Sequence, residues 1–417
     1  MNKYKLKDVC KIEKGKIGIT KAIEGEYPLV VTAEERSSHN EWHFDEPAAI
    51  VPLVSSTGHG HASIKRLHYA EGKYAVGSIL ATLIPKDQKF LDAKYLYVYL
   101  TINKEELLVS QMTGAANVSL TLTKLKEVEV EIPDYKTQLN IVKRYDESKK
   151  LNEKLTIEIK KREELVKQLR SNILQDAISG KLSEQWRKEN PDIESAELLL
   201  EKIKEKLIKE GKIKKQKSLP PIKDEEIPFE LPEGWVWCRL GEIIELVSGR
   251  DLKSPEYNDL GAGIPYITGA SNFQDGELSI ERWTENPKTI SIRNDLLITC
   301  KGTIGEMAFN EHGELHIARQ VMAIRTVINA ISKYIQNIVY VNVDELNLQA
   351  KSLIPGISRD DVLNMLCPLP PLLEQENIVK RCSHLFNKLN KLDLINETIE
   401  EEIDFLNKIV FRDLFEE

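Results

Sequence analysis

Gln138-Leu139-Asn140-Ile141-Val142-Lys143-Arg144 returns 237 residues later as Gln375-Glu376-Asn377-Ile378-Val379-Lys380-Arg381. Each copy follows a proline, Pro133 or Pro370, that closes a domain-sized segment and precedes a long helical run. The chain therefore reads as one unit, a globule followed by a helix, used twice.

The apolar residues downstream keep the same register. Leu385, Leu389, Leu392, Asn396, Ile399, Ile403, Leu406 and Val410 recur at alternating spacings of four and three, the a/d stripe of a heptad pattern. Subtracting the same offset lands on Leu155, Ile159, Arg162, Val166, Leu169 and Ile173. Each stripe has one polar member, Arg162 or Asn396, which would fix register at some cost in stability. Two matched stripes imply a mutual coiled coil rather than two amphipathic helices each packed on its own globule. The first helix leaves globule one and the second starts at globule two, so an antiparallel pair with a pseudo-twofold axis is expected. An unbroken helix from Gln138 to Ser179 would be about 60 Å long at roughly 1.5 Å per residue, nearly two turns of B-DNA at about 34 Å each.

With 417 residues, 41% of them apolar, the chain can bury two ordinary cores plus helices, and the 30% charged content suits long exposed helices. Five scattered cysteines, Cys10, Cys238, Cys300, Cys367 and Cys382, form no CxxC pair, which argues against zinc ribbons and disulfide frameworks and for a reducing cytoplasm. The amino-terminal MNKYKLKDVCK has no apolar core of a signal peptide, and no run approaches the roughly 18 to 20 apolar residues of a membrane span, so a soluble cytoplasmic protein is expected. Net charge is −8; residues 1–133 carry 17 basic against 17 acidic side chains, and residues 231–368 carry 12 against 18. Neither globule is a basic domain, so nonspecific phosphate binding cannot be strong alone.

The expected class is α/β of the α+β kind. Residues 1–133 form the first globule, with strands from Ala48 to Val54 and Tyr74 to Ile84 and a helix from Asp92 to Leu108. Residues 134–190 carry the first spacer helix, and 191–230 a helical segment from about Ser195 to Glu210 and a Lys-rich, Pro-punctuated linker, GKIKKQKSLPPIKDEEIPFELPEGW, which reads as solvated. Residues 231–368 repeat the first globule, with strands Ile264 to Thr268 and Leu296 to Cys300 and a helix from Ile331 to Asn342; Lys333-Tyr334 mirrors Lys94-Tyr95. Residues 369–417 are the second spacer helix.

Catalysis is not visible. The chain lacks GxxxxGK[ST], NPPY or DPPY, FxGxG, GxSxG and HExxH, and its Pro-Asp pairs at 133–134 and 191–192 lack the downstream ExK strand of a nuclease. His39, His43, His59, His61 and His68 crowd together, but no cysteine or paired carboxylate completes a metal site, so none is expected. The turn Ser55-Ser56-Thr57-Gly58-His59-Gly60-His61 has a counterpart in Cys300-Lys301-Gly302-Thr303-Ile304-Gly305; each follows a strand, and such a loop is either a tight hairpin or a backbone that approaches a phosphate or base edge.

The order globule, helix, globule, helix, with Pro-x4-Gln-x2-Ile-Val at each junction, resembles the specificity subunit of type I restriction-modification systems. LVKQLRSNILQDAISGKLSEQW and LPPIKDEEIPFELPEGWVWCRLGEII resemble that family's central region and the start of its second domain, and ITCKGTIGEMAF resembles a strand and turn of its target recognition domains. The resemblance spans the whole chain. It implies two target recognition domains separated by an antiparallel two-helix coiled coil, each reading one half of a split site in double-stranded DNA. It further implies a noncatalytic reader: two modification subunits carrying S-adenosylmethionine methylate adenines, and restriction subunits using ATP and Mg cleave.

On residue chemistry, the candidate DNA contacts are Lys14, Lys16, His59, His61, Lys65 and Arg66 in the first domain. In the second they are Arg250, Lys253, Ser271, Asn272, Lys301, Thr303, Arg319 and Gln320. Two other readings stay open: a reader serving a fused methyltransferase-nuclease, and a coiled-coil scaffold whose globules bind proteins. The exposed heptad faces also leave open a homodimer of the isolated subunit.

Overall fold

The computed structural model describes residues 2–57, 61–114, 118–211, 219–349 and 356–416; His59, much of the Lys-rich linker and the Val410 side chain lie outside the described part. Contacts divide the chain into two compact units, residues 1–161 with 396–417, and residues 162–395.

The first unit begins with β1 (Asn2–Lys5), α1 (Leu6–Val9) and β2 (Cys10–Lys14). There follow β3 (Tyr27–Val30), β4 (Ser37–His39), β5 (Ala48–Pro52), β6 (His68–Ala70), β7 (Ala75–Val76) and β8 (Leu80–Pro85). An antiparallel sheet has the order β2-β8-β5-β6; a smaller one, β4-β3-β7, contains a parallel pair, β3 with β7. Every residue of β5 and β8 is buried, which is why both read as continuous apolar runs rather than alternating ones. The strand expected from Tyr74 to Ile84 is broken at Gly77, whose amide donates to the Val30 carbonyl at 2.9 Å, and its two pieces belong to different sheets.

Helix α2 (Ala93–Ile102) starts where the Asp92 carboxylate accepts the Tyr95 amide at 2.7 Å. It stops at Asn103, so the single helix expected to Leu108 is two pieces, α2 and α3 (Lys104–Leu107). After α4 (Leu122–Glu127), β9 (Glu129–Ile132) pairs with β1 and closes the globule beside its own start. The long helix α5 (Tyr135–Ile178) then begins, its first amides at Lys136 and Thr137 held by the Asp134 carboxylate at 3.1 Å. Gln138, fully buried, donates to the Phe90 and Pro133 carbonyls at 2.9 Å and accepts the Asp92 amide at 2.8 Å. These three hydrogen bonds account for glutamine at this position of the first copy.

The second unit contains the end of α5, α6 (Glu184–Glu189) and α7 (Ala196–Lys209), the latter at the helix expected from Ser195 to Glu210. Its strands are β10 (Val236–Arg239), β11 (Ile244–Ser248), β12 (Ile264–Ile267), β13 (Phe273–Gln274), β14 (Glu277–Leu278) and β15 (Trp283–Thr284). Next come β16 (Ile290–Ser291), β17 (Leu296–Thr299), β18 (Met307–Phe309), β19 (Leu315–Ile317) and β20 (Val321–Thr326). The sheet β11-β20-β17-β18 repeats β2-β8-β5-β6 strand for strand, and the parallel pair β12 with β19 repeats β3 with β7. Helices α8 (Ser332–Gln349) and α9 (Arg359–Asn364) precede β21 (Leu366–Leu369), which pairs with β10, and α10 (Leu372–Glu416) follows.

The duplication extends to single hydrogen bonds. Buried Tyr95 donates to the Glu131 carbonyl at 2.7 Å and buried Tyr334 to that of Pro368 at 2.6 Å. Asn103 and Asn342 each turn back on the carbonyl four residues earlier, at 2.9 and 2.8 Å. Gln375 donates to the Pro370 carbonyl at 2.7 Å, as Gln138 does to Pro133. One feature of the second unit has no such counterpart: the fully buried Glu374 carboxylate accepts Ser183 Oγ at 2.7 Å, Arg187 Nη1 at 2.5 Å and Trp235 Nε1 at 2.9 Å. By the offset, its place in the first copy is held by Thr137.

Within the second unit, Arg170 donates to Asn390 at 2.6 Å and Asp393 at 2.8 Å, and Arg381 donates to the Leu182 carbonyl at 2.7 Å. Numbers rise along one helix as they fall along the other, the antiparallel sense expected. In the first unit Phe415 stands edge-on to Tyr95 and Tyr99 and joins the core that holds Ile141 and Tyr145.

The expected seam is met only in part. Ile159, Val166, Leu389 and Asn396 are buried, and Leu155, Ile173, Leu385, Ile399 and Ile403 half-buried. Arg162 is exposed, and Leu169, Leu392 and Leu406 are 47%, 46% and 56% exposed, so the seam assignment of these four is corrected. Straight helices with 3.6 residues per turn drift by about 20° per heptad towards later residues. Accordingly the pair Arg170 and Asp393, each one place beyond Leu169 and Leu392, meets across the helices instead. Asn396 is the polar member of the seam, and its counterpart by the offset is Ile159, not Arg162.

Candidate nucleic-acid interface

In the first unit, the end of β2 is pressed against the turn before β8. A Cβ on Gly15 would lie 2.1 Å from the Gly77 carbonyl oxygen, so only glycine allows the approach. The Gly15 and Lys16 amides donate to the Leu80 and Val76 carbonyls at 2.9 and 3.0 Å, which leaves the Lys14 and Lys16 side chains exposed on either side of the glycine. Lys16 Nζ sits 5.6 Å above the Phe44 ring. In the turn after β5, Ser55 Oγ donates to the His61 carbonyl at 2.6 Å and accepts the Ser63 amide at 3.1 Å. His61 and Lys65 are exposed. Arg66 is half-buried and paired with Glu34 at 2.8 Å, so its charge is already answered within the protein.

The second unit repeats the construction. A Cβ on Gly249 would lie 2.1 Å from the Ala318 carbonyl oxygen, and the next residue is Arg250. Its amide donates to the Ile317 carbonyl at 2.9 Å, and its own carbonyl accepts from Nε2 of buried His316 at 2.9 Å. Burial holds the His316 imidazole below its ordinary pKa, so the ring stays neutral and positions the Arg250 backbone. The Cys300 amide donates to the Gln320 carbonyl at 2.8 Å, the Ala318 amide to that of Ile267 at 2.9 Å, and Arg319 pairs with Asp251 at 2.8 Å. The loops holding Arg250, Ser271, Lys301, Arg319 and Gln320 are thus tied together at one end of the sheets, with all five residues exposed. Thr303 and Lys253 are exposed in the same loops.

Asn272 must be corrected. It is 2% exposed; its carbonyl accepts from the Thr268 amide and hydroxyl at 2.9 and 3.0 Å, and its amide donates to the Ser279 carbonyl at 2.9 Å. A side chain so committed holds the loop of Ser271 and cannot also read a base. Near these loops the Arg359 guanidinium reaches Ser248 Oγ at 3.3 Å, and Lys73 lies 5.0 Å above the partly exposed Trp42 ring. Neither lies in the two Gly-rich turns, Ser55 to His61 and Cys300 to Gly305, that the sequence singled out. Among the described residues no three His, Cys, Asp or Glu side chains converge as metal ligands, and no helix is long and apolar enough to cross a membrane.

A frame made twice, with glycine-enabled loops that expose cations and amides at the ends of the same strands, defines a class of duplicated recognition protein. Residues 1–161 and 232–402 match the family described as the type I restriction modification DNA specificity domain, and the chain belongs to it. Among its relatives, the EcoAI specificity subunit of Escherichia coli is 33% identical over 254 residues, covering 56% of this chain and 42% of that one. The EcoDI specificity subunit of Escherichia coli is 24% identical over 96% of this chain and 82% of that one. The match thus spans less than half of the first relative's length. A chain from a solved structure described as showing assembly and conformational transition of the type I R-M system shares the fold, with a TM-score of 0.63 and 18% identity over 99% of this chain and 97% of that one.

Proposed function

We propose that this protein is the DNA sequence-specificity subunit of a type I restriction-modification complex. The carrying observation is the twofold recurrence of one loop cluster, Lys14-Gly15-Lys16 beside the Ser55 turn and Ser248-Gly249-Arg250 beside the Cys300 turn, on strands of the same order. Two like heads suit a bipartite site in double-stranded DNA, and neutral-to-acidic globules suit a reader whose tight binding depends on partner subunits. In this reading the chain is noncatalytic and cytoplasmic. Two modification subunits supply S-adenosylmethionine chemistry at adenine, and restriction subunits supply ATP- and Mg-dependent cleavage.

The test is methylome sequencing of a host expressing this chain with its modification partner, against a strain lacking this chain. A new bipartite motif, methylated at adenine on both strands and lost on deletion, is the expected result. An unchanged methylome despite a stable complex with the methyltransferase would refute the reading.

A further inference from the structure

The first unit holds a hollow of about 440 Å³ between the turn after β3, strand β6, helix α2 and the start of α5. Its carboxylates, Glu34 and Asp146, are taken by Arg66 at 2.8 Å and Lys94 at 2.5 Å. Two further cations on its wall, Arg36 and Lys149, have no carboxylate within 4.0 Å among the described residues; the Arg36 guanidinium donates only to the Tyr69 carbonyl, at 2.6 Å. The hollow therefore carries two uncompensated positive charges in a globule with no net charge.

His68 also lines the hollow, and its Nε2 is buried without a hydrogen-bond partner among the described residues. An unmet buried nitrogen is costly unless something fills the place. Tyr69, Tyr97 and Tyr145 give the hollow aromatic walls, with ring centroids 6.2 and 6.3 Å apart in successive pairs. The second copy does not keep this chemistry. At the offset of 239 that relates α2 to α8, Tyr97 is replaced by Gln336; at 237, Tyr145, Asp146 and Lys149 are replaced by Cys382, Ser383 and Phe386. The bonds that merely hold the globule together survive in both copies, so the hollow is a speciality of the first.

We propose that this hollow binds a nucleotide phosphate, with Arg36, Lys149 and the His68 imidazole facing the phosphate and the tyrosines beside the attached sugar or base. The phosphate can belong to a DNA backbone, which rests on the function proposed above, or to a free nucleotide, which does not. Two arms separate the sources. In the first, AMP and inorganic phosphate are titrated into the full chain by calorimetry while the His68 ring is followed by NMR. In the second, the assembled complex is titrated with duplexes that contain or lack its methylated motif. Arg36→Gln and Lys149→Gln are compared in both arms with Lys150→Gln, an exposed neighbour on the same helix outside the hollow.

About tenfold weaker binding for each hollow variant, with Lys150→Gln unchanged, is expected in one arm, and that arm identifies the source. In the DNA arm the loss should be equal on both duplexes and lower the salt slope by about one per cation removed. No difference from wild type in either arm, or an equal loss in Lys150→Gln, would overturn the proposal. Failure of the wild-type complex to prefer its own motif would instead count against the specificity function, and the nucleotide arm would still decide the hollow.

Discussion

Replacing Glu374 by alanine should destabilise the second unit more than any exposed substitution. The carboxylate is fully buried and accepts from Ser183, Arg187 and Trp235, so its loss strands Trp235 Nε1 and Arg187 Nη1, on a guanidinium with only 21% of its side chain exposed, and leaves Ser183 Oγ the longer bond to the Gly180 carbonyl at 3.4 Å. Breaking a buried pair from one side costs about 3–5 kcal/mol; the residual exposure of Arg187 favours the low end, about 3 kcal/mol. For a unit of this size that lowers Tm by about 6–12 °C. Glu374→Gln keeps the volume and one acceptor and should cost roughly half as much. Trp186, Trp235, Trp237 and Trp283 all lie in this unit, so tryptophan fluorescence in a urea series follows its unfolding. A double-mutant cycle with Arg187→Met should give a coupling of about 1.5–3 kcal/mol. A loss below about 1 kcal/mol for Glu374→Ala, or strict additivity with Arg187→Met, would refute this account of the cluster.

Further expectations follow from the duplicated parts. Tyr95→Phe and Tyr334→Phe should each cost about 1–2 kcal/mol in urea unfolding, since each leaves one buried carbonyl unmet; a harmless pair would deny these bonds a structural role. Gly15→Ala and Gly249→Ala should each destabilise by about 1–3 kcal/mol, because the new methyl would sit 2.1 Å from a carbonyl oxygen, and should reduce motif methylation at either half-site together. Arg250→Ala or Lys301→Ala should weaken DNA binding by the assembled complex; unchanged affinity and site choice for both would remove them from the interface. Burial, then Arg66 and Arg36, push the His68 pKa down from 6.5 to about 4. The folded state thus binds its proton less readily than the unfolded one, and this part of the stability is present above about pH 6.5 and lost as pH falls towards 4. His68→Gln should flatten the pH dependence of Tm across that window, and an unaltered profile would contradict it.

The frame was legible because its signals are repeated. The heptapeptide of Gln138 and Gln375 marks a junction where a buried glutamine donates to the preceding proline carbonyl in both copies, and Lys94-Tyr95 with Lys333-Tyr334 marks a helix whose tyrosine bonds recur. Periodicity placed α7 well but misjudged the seam, because a strict heptad ignores the drift that brings Arg170 and Asp393 into contact in place of Leu169 and Leu392. The break at Gly77 was hidden inside an apolar run, since both flanking strands are buried on every side. At the candidate interface, glycine-rich turns picked out loops that the second unit ties together at one end of its sheets. Residue type alone could not tell Ser271, which is exposed, from Asn272, which is consumed by its own loop.

The pairing of β1 with β9 and of β10 with β21 has a consequence for how such a chain can change. Lys5 faces Glu129 and Arg239 faces Leu366, so each globule's polypeptide leaves within about 5 Å of where it entered. In polymer terms each globule body is a closed ring with almost no span, hung from a two-strand clasp. The entropy of closing such a ring grows only with the logarithm of its length, by about 0.6 kcal/mol per doubling. Its contents can therefore lengthen, shorten or be exchanged while the clasp is left unstrained.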